Sequence, residues 1–229
     1  LNMNSTTIKY IGHSAFYFET GSHGILVDPF ISNNPVAKFN YKEEIITDIF
    51  LTHAHADHMG DAIPISRATK APITAIFELA NYCMAKGALV EGVNFGGKLS
   101  YPWGFARFLP AFHSSSTPDG QYAGMPASIM FEINGTKIYH AGDTCLNSEM
   151  KTAGEVYKPD IAFLPVGSFY TMDKNEAALA AKWLGVKKVI PMHYNTFDAI
   201  KTDIQEFKNM IEKEGIECII LKPGESLEL

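Results

Sequence analysis

Four side chains able to bind a metal ion lie within six residues, directly after an apolar run. The segment reads Leu51-Thr-His-Ala-His-Ala-Asp-His-Met-Gly60, so the candidate ligands are His53, His55, Asp57 and His58. Imidazole and carboxylate groups are the usual ligands of zinc and of several other divalent metals. His53 and His55 would point about 200° apart on a helix, but they share a face at the end of a strand. The spacing therefore predicts a metal site where a buried strand ends.

Three further candidates close other apolar runs that have the composition of strands. These are His113, Asp143 and His193. Taken singly, each is explained equally well by a structural role in a loop. Together with the first four residues they give seven ligands, about the number that two metal ions need, so the sequence predicts a dinuclear centre.

Several neighbouring residues have two readings. Asp28 ends an apolar run and either holds a ligating imidazole or forms a turn before proline. His13, in Gly12-His-Ser14, either faces the metals or substrate and donates a proton to the leaving group, or bonds to backbone. His140 is expected to support the site or the core rather than to bind metal, and Cys145 is expected to be a small buried apolar residue.

Polar residues beside the candidate ligands could bind an anionic substrate or could merely satisfy the backbone of their loops. They are Ser114 to Ser116, Tyr194, Asn195 and Thr196.

The elements that must position these residues are short strands and amphipathic helices. Strands are expected at 7–11, 15–19, 25–28, 45–52, 72–76, 105–111, 128–133, 137–140, 161–166 and 188–191. Helices are expected at 77–86, 148–157, 174–184 and 198–214. Strands mixed with helices, and no Gly/Ser-rich linker, predict one domain over residues 1–229, of α+β class, with two packed sheets covered by helices.

Composition narrows the classes of function. The 229 residues carry a net charge of −6, which disfavours nucleic acid as the principal partner. No apolar run approaches the length of a membrane span, and the first residues do not have the pattern of a signal peptide. The three cysteines have no paired spacing, which fits a reducing compartment, and a cytoplasmic location is expected.

The order of the candidate ligands carries a resemblance. His53-x-His55-x-Asp57-His58, then His113, Asp143 and His193, resembles the metallo-β-lactamase superfamily. Further segments are similar to one branch, the small metal-dependent hydrolases related to the L-ascorbate-6-phosphate lactonases: Gly12-His-Ser14, Ile25-Leu-Val-Asp-Pro-Phe30, Tyr139-His-Ala-Gly-Asp-Thr144, Phe163-Leu-Pro-Val166 and Ile190-Pro-Met-His-Tyr194. The similarity extends over about residues 7 to 200.

This resemblance implies a four-layer αββα sandwich with the site at the open edge between the sheets. It also implies a division of ligands in which His53, His55 and His113 hold the first ion, Asp57, His58 and His193 hold the second, and Asp143 bridges both. A shared water, with its pKa lowered to about 7, would then be the nucleophile as a bridging hydroxide. Asp57, Asp143 and His13 are the residues expected to act in catalysis. Zn²⁺ is the first choice of metal, with Mn²⁺, Ni²⁺ and Fe²⁺ left open.

The expected reaction is hydrolysis of a small anionic ester, lactone or phosphodiester. A mono-iron dioxygenase of the same fold and a non-catalytic protein that binds a metal or ligand remain as alternatives. A β-lactamase is disfavoured because the well-known zinc enzymes carry Cys where Asp143 stands. A tRNA-processing nuclease is disfavoured because the chain has no basic insertion to grip RNA, and the sequence leaves the formation of a homo-oligomer open.

Overall fold

Fourteen strands within residues 5–229, the part of the chain that the computed structural model describes, form two sheets. The strands are β1 (Thr6–Gly12), β2 (Ala15–Thr20), β3 (His23–Val27), β4 (Asp48–Phe50), β5 (Ile73–Ile76), β6 (Val90–Val93), β7 (Lys98–Tyr101), β8 (Gly104–Pro110), β9 (Ala127–Ile133), β10 (Thr136–His140), β11 (Ile161–Pro165), β12 (Lys188–Met192), β13 (Glu217–Cys218) and β14 (Ser226–Glu228). One sheet has the order β14-β1-β2-β3-β4-β5-β6 and the other β13-β12-β11-β10-β9-β8-β7. Each sheet therefore draws its strands mainly from one half of the chain.

Six α-helices accompany these strands. They are α1 (Ala56–Met59), α2 (Ala62–Thr69), α3 (Phe77–Ala85), α4 (Glu149–Val156), α5 (Lys174–Leu184) and α6 (Ile204–Lys213). Short 3₁₀ turns lie at Tyr41–Glu43 and Asp198–Ile200. No helix in the described part of the chain has the length and apolar composition of a membrane span.

Each sheet combines an antiparallel half with a parallel half. Strands β3 to β6 run parallel to one another, and so do β10 to β13. The carboxyl ends of parallel strands lie at the same edge of a sheet. The candidate ligands follow the ends of β4, β8, β10 and β12, and they meet at one edge between the two sheets.

Aromatic side chains fill the space between the sheets. Phe16 of β2 stacks against Phe163 of β11 with ring centroids 4.3 Å apart, and Phe50 of β4 meets Phe131 of β9 edge to face at 5.1 Å. All four rings are fully buried. Burying a large apolar side chain contributes about 1.5–3 kcal/mol, so this layer holds the two sheets in a fixed relation.

Helices cover the outer faces of both sheets. Ile65 of α2 and Leu79 of α3 pack against the first sheet in a separate apolar cluster, whereas Ala177 of α5 and Phe207 of α6 are buried against the second. The result is helix, sheet, sheet, helix. The predicted α+β class and four-layer αββα sandwich are confirmed.

The expected elements differ from the structure in three places. The helix predicted over 198–214 is wrong in its first part, where the chain forms the 3₁₀ turn Asp198–Ile200. Helix α6 begins only after Asp203, whose side chain accepts hydrogen bonds from the Gln205 and Glu206 N–H groups. The strand predicted over 45–52 is limited to β4. Six short elements were not predicted from the sequence: strands β6, β7, β13 and β14 and helices α1 and α2. The four strands also lie at the edges of the sheets, where β6 and β7 have mixed exposure.

Candidate metal centre

The seven predicted ligands converge at the edge between the sheets. Their donor atoms fall into overlapping groups, in each of which all atoms lie within 4.8 Å of one another. One group is His53, His55 and His113; another is His53, His58 and Asp143; the third is His13, Asp57, His58 and His193. The first and third groups are two adjacent clusters, and the second group, which contains Asp143, overlaps them at His53 and His58.

The His53-x-His55 pair lies in the loop between β4 and α1, and Asp57 and His58 lie on the single turn of α1. His53 Nε2 and His55 Nδ1 are 3.0 Å apart, so the two imidazoles converge on one point through different ring nitrogens. His55 also occupies the position before α1, with its carbonyl accepting from His58 and Met59. The turn that follows directs Asp57 and His58 to the other cluster.

The Asp143 carboxylate lies between the two clusters. Its Oδ2 is 3.5 Å from His113 Nε2 and 3.1 Å from His193 Nε2, and its Oδ1 is 3.2 Å from His58 Nε2. It follows β10 beyond Gly142, where an added Cβ would meet Ala127 O at 2.7 Å. One carboxylate thus faces imidazoles from both sheets.

The polar atoms at the centre of the site indicate the charge that it accommodates. His58 Nε2 and Asp143 Oδ1 are buried and, within the described residues, have no aligned hydrogen-bond partner. Leaving such groups unpaired costs about 1–3 kcal/mol each, unless a ligand satisfies them. Both atoms are of types that coordinate divalent metals, so the residues present fit a metal ion between them.

The protonation states of the site also suit a cation. Burial lowers the pKa of His53 well below its usual value, and that of His55 and His113 also lies below normal, mainly through burial. Burial raises the pKa of Asp143, but the facing imidazoles of His193 and His58 outweigh it and bring it well below normal. The imidazoles with lowered pKa are therefore neutral and the carboxylate is ionised, as metal binding requires.

His58 is the exception among these imidazoles. Burial opposes its protonation, but the nearby carboxylates of Asp143, Asp28 and Asp57 together raise its pKa well above normal. A positive charge at this point is therefore stabilised by three carboxylates. A metal cation at the same place would experience the same field.

A buried carboxylate behind the ligands fixes two of their rings. Asp28 Oδ2 lies 2.7 Å from His58 Nδ1 and accepts from Thr52 Oγ1 at 2.6 Å, while Oδ1 accepts from the Thr52 N–H at 2.8 Å. The Thr52 hydroxyl donates its one proton to Asp28, so it accepts from His53 Nδ1 at 3.0 Å. Both imidazoles then carry a proton on Nδ1, so a metal ion that displaces the Nε2 proton of His58 would meet an Nε2 lone pair on each ring. Of the two readings of Asp28, the structure shows the supporting one.

His13 lies behind Asp57 in the two-residue turn between β1 and β2, with φ of 62°. Its side chain is fully buried, its Nε2 is 3.0 Å from Asp57 Oδ2, and its Nδ1 is 2.9 Å from Thr196 Oγ1. Burial lowers the pKa of His13 to about 4, helped by His193. A neutral His13 therefore donates from Nε2 to Asp57 and accepts from Thr196. With both nitrogens engaged, it is placed to fix Asp57 rather than to reach a leaving group.

His140 lies deeper than the ligands. It is fully buried between Phe16 and Phe163, accepts from the Gly142 N–H at Nδ1 and donates from Nε2 to Ser14 O at 3.0 Å. This hydrogen bond joins β10 of one sheet to the β1–β2 turn of the other. His140 thus supports the site through the backbone, as one of its two expected roles required.

A pocket of about 430 Å³ opens onto the ligands. Besides ligand residues, its lining consists of Ser114, Tyr170 and Phe197. Among the described residues, Ser114 is the only predicted polar substrate contact that lines this pocket. Tyr170 and Phe197 were missed because an aromatic residue in a loop has no sequence signal that separates it from an ordinary exposed side chain.

Three of the other predicted substrate contacts, Ser115, Tyr194 and Asn195, support neighbouring backbone or pack against the core. Ser115 Oγ accepts from the Ala54 N–H, Asn195 holds the backbone of Thr202, and Tyr194 is packed against the core. The expectation that Cys145 is buried is wrong, because its side chain is exposed. It stands in the loop after Asp143, where its N–H donates to Phe112 O and the chain has already left the sheet.

Comparisons with known proteins fit this arrangement. The family model described as the beta-lactamase superfamily domain matches residues 7–193. The chain belongs to the beta-lactamase superfamily. A protein from Geobacillus thermodenitrificans named UPF0173 metal-dependent hydrolase is 45% identical over 226 residues, covering 97% of this chain and 99% of the relative. A protein of the same name from Staphylothermus marinus is 47% identical, covering 96% and 97%.

A solved structure is similar over nearly the whole chain. It is Igni18, described as a novel metallo hydrolase from the archaeon Ignicoccus hospitalis, with a TM-score of 0.91, 39% identity and 98% of each chain covered. The predicted membership of the superfamily is thus confirmed by both sequence and structure.

Proposed function

We propose that this member of the beta-lactamase superfamily is a hydrolase that works with two divalent metal ions. The observation that carries the proposal is the position of Asp143, whose carboxylate faces His113 on one side and His58 and His193 on the other. A carboxylate between two imidazole clusters can serve two cations at once. The names of the relatives, metal-dependent hydrolase and metallo hydrolase, support the same chemistry.

The residues would divide into two sets around that bridge. His53, His55 and His113 would hold the first ion, and Asp57, His58 and His193 would hold the second. Bound ions in such a site supply a water-derived nucleophile at neutral pH and polarise the carbonyl or phosphoryl oxygen under attack. Five imidazoles with two carboxylates suit Zn²⁺, and Mn²⁺, Ni²⁺ and Fe²⁺ accept the same donors.

The protein's own contribution is to fix these donors in advance. Asp28 and Thr52 hold the Nδ1 protons of His58 and His53, and His13 holds the Asp57 carboxylate. Tyr170 and Phe197 line the pocket beside the ligands, where their rings would contact a bound substrate. Such pre-organisation matters because catalytic geometry must be held without rearrangement during the reaction.

The substrate class we propose is a small ester, lactone or phosphodiester with a negative or strongly polarised reactive group. The lining of the metal pocket contains no Lys or Arg among the described residues. Bound metal ions would therefore be the positive charge that orients an anionic group. The size of the pocket, about 430 Å³, matches that of small-molecule sites.

Metal analysis coupled to a substrate screen tests the proposal. Protein purified without chelator should contain close to two equivalents of metal, and it should hydrolyse at least one phosphodiester, lactone or ester. Asp143→Ala should lose both ions together, because one carboxylate serves both. His23→Ala is the matched control, since His23 lies in β3 outside the metal-binding groups.

Three results would contradict the proposal. Loss of one ion from Asp143→Ala, with the other bound at full affinity, would remove the bridging role. One equivalent of iron with oxygen consumption would favour the mono-iron dioxygenase. Two tightly bound ions with no turnover of any substrate class would favour a binding protein.

A further inference from the structure

An open groove of about 620 Å³ adjoins the metal pocket. Every lining residue of this groove comes from the segment 111–126, the connection between β8 and β9. His113 and Ser114 line both the groove and the metal pocket. The groove therefore begins directly beside the metal pocket.

The groove exposes large apolar side chains. Phe112 is 52% exposed, Tyr122 is 73% exposed and Met125 is 49% exposed. The described lining contains no Asp, Glu, Lys or Arg. Exposed apolar surface that is clustered beside a polar site is typical of ligand recognition.

The loop that carries these side chains is anchored at several points. Ser115 Oγ accepts from the Ala54 N–H in the metal-binding segment, and the Tyr82 hydroxyl of α3 donates to Asp119. Gly124 has a φ of +80°, and a Cβ there would meet Glu78 Oε2 at 2.6 Å, so the loop lies tightly against α3. The apolar surface is thus held in place before a ligand arrives, which reduces the entropy lost on binding.

We propose that this groove binds an uncharged alkyl or aryl arm of the substrate whose reactive group lies at the metal centre. The inference rests on the proposed hydrolase function and narrows its substrate class. Because His113 and Ser114 line both the groove and the metal pocket, a substrate whose reactive group lies at the metal centre has the groove directly beside it. The absence of charged groups from the described lining favours an uncharged arm, because a charged one would lose hydration without gaining a partner.

A homologous series of substrates measures the groove directly. Within the class that the screen identifies, the arm is lengthened from ethyl to octyl while the reactive group is kept constant. We expect kcat/KM to rise by up to about fourfold for each methylene that is buried, and then to level off when the groove is full. An arm of equal length that ends in a carboxylate should lose this gain.

Two variants assign the gain to the groove. Tyr122→Ala and Met125→Ala should reduce the dependence of kcat/KM on arm length. Met84→Ala is the matched control, because Met84 is 54% exposed on α3 and lies outside the groove lining. Its dependence on arm length should equal that of the parent protein.

The outcomes separate this inference from the proposed function. Turnover of the ethyl member with no gain on lengthening would overturn the groove inference and leave the hydrolase intact. No turnover of any member would instead count against the hydrolase itself. The molecular mass of the protein in solution, measured over a range of concentrations, reports its oligomeric state. A dimer that Tyr122→Ala dissociates would show that a second copy of the chain covers the groove, and this result would also overturn the inference.

Discussion

Replacing Asp28 by asparagine should lower the affinity for the second metal ion, the one assigned to Asp57, His58 and His193, while keeping the shape of the side chain. Asp28 is fully buried and accepts hydrogen bonds from the Thr52 N–H, the Thr52 hydroxyl and His58 Nδ1. The asparagine oxygen can still accept from the Thr52 N–H, but its NH₂ group then replaces Oδ2 and points at both the Thr52 hydroxyl and His58 Nδ1. To accept from that group, His58 must move its proton to Nε2, the nitrogen that faces Asp143. The lone pair for the metal is lost in that tautomer.

The magnitude follows from the supporting role. Loss of such a partner costs about 10- to 100-fold in metal affinity, or about 1.4–2.7 kcal/mol at 1.36 kcal/mol for each factor of ten. The Thr52 hydroxyl loses Asp28 Oδ2 as its acceptor, but its oxygen can accept from both the new NH₂ group and His53 Nδ1, so the first ion should be affected less. Asp28→Asn should therefore bind two ions with a wider separation of affinities than the parent protein.

Titration with Co²⁺ against a chromophoric chelator measures both affinities, and the visible absorption reports the coordination of each ion. Asp61→Asn is the matched control, since Asp61 also accepts three hydrogen bonds, from the Ile31 N–H and from the Ser32 N–H and hydroxyl, but contacts no ligand. Unchanged affinities in Asp28→Asn would refute the tautomer argument. Equal losses in both variants would show a general loosening of the loops instead.

Other expectations concern histidines, acid stability and RNA. His13→Ala should lower the affinity for the second ion about 10- to 100-fold, and His13→Gln should recover part of this affinity because its side-chain N–H can donate to Asp57. Equal metal affinity of the alanine variant and the parent protein would contradict the role of His13 in fixing Asp57. His140→Ala should lower the free energy of unfolding by about 2–4 kcal/mol, measured by chemical denaturation, with metal affinity preserved once the protein is folded. The metal-free protein should lose stability as the pH falls below about 6.5. Among the shifted histidines described, folding raises the pKa of His58 alone and lowers that of the others, which are His13, His53, His55, His113 and His140. Denaturation with chelator at about pH 7.5 and about pH 5.5, on either side of the usual histidine pKa, measures the difference, and greater stability at the lower pH would contradict the expectation. With 19 basic against 25 acidic residues, site-specific cleavage of precursor tRNA should be negligible beside turnover of a small phosphodiester at matched metal and salt, and the reverse order would refute the small-substrate proposal.

The residues that converge at the candidate metal centre were largely predictable, because metal ligation constrains residue type as well as spacing. His53 and His55 are informative because a two-residue interval suits a strand end, and His113, Asp143 and His193 each follow a run that could only be a strand or a buried helix. Their convergence depends on the pairing of strands from both sheets, which no local pattern encodes. The superfamily resemblance supplied that long-range information.

The residues that were misjudged are those whose environment is set by tertiary contacts. Cys145 is exposed because the chain turns outward after Asp143, although its sequence neighbours are compatible with burial. The helix predicted from 198 was extended too far because amphipathic spacing alone does not reveal that the Asp203 side chain caps a new start. Tyr170 and Phe197 enter the pocket from separate loops, and only the fold brings them together.

The candidate ligands come from both sheets, and this would decide when during synthesis the protein can bind a metal ion. His53 and His58 follow a strand of the first sheet, whereas Asp143 and His193 follow strands of the second and are made much later during synthesis. An emerging chain can therefore offer only the first segment to a cation, and full coordination begins when the second half has docked. A bound metal ion would then link the two halves, so that metal occupancy would report complete assembly and would add its binding free energy to the stability of the folded state.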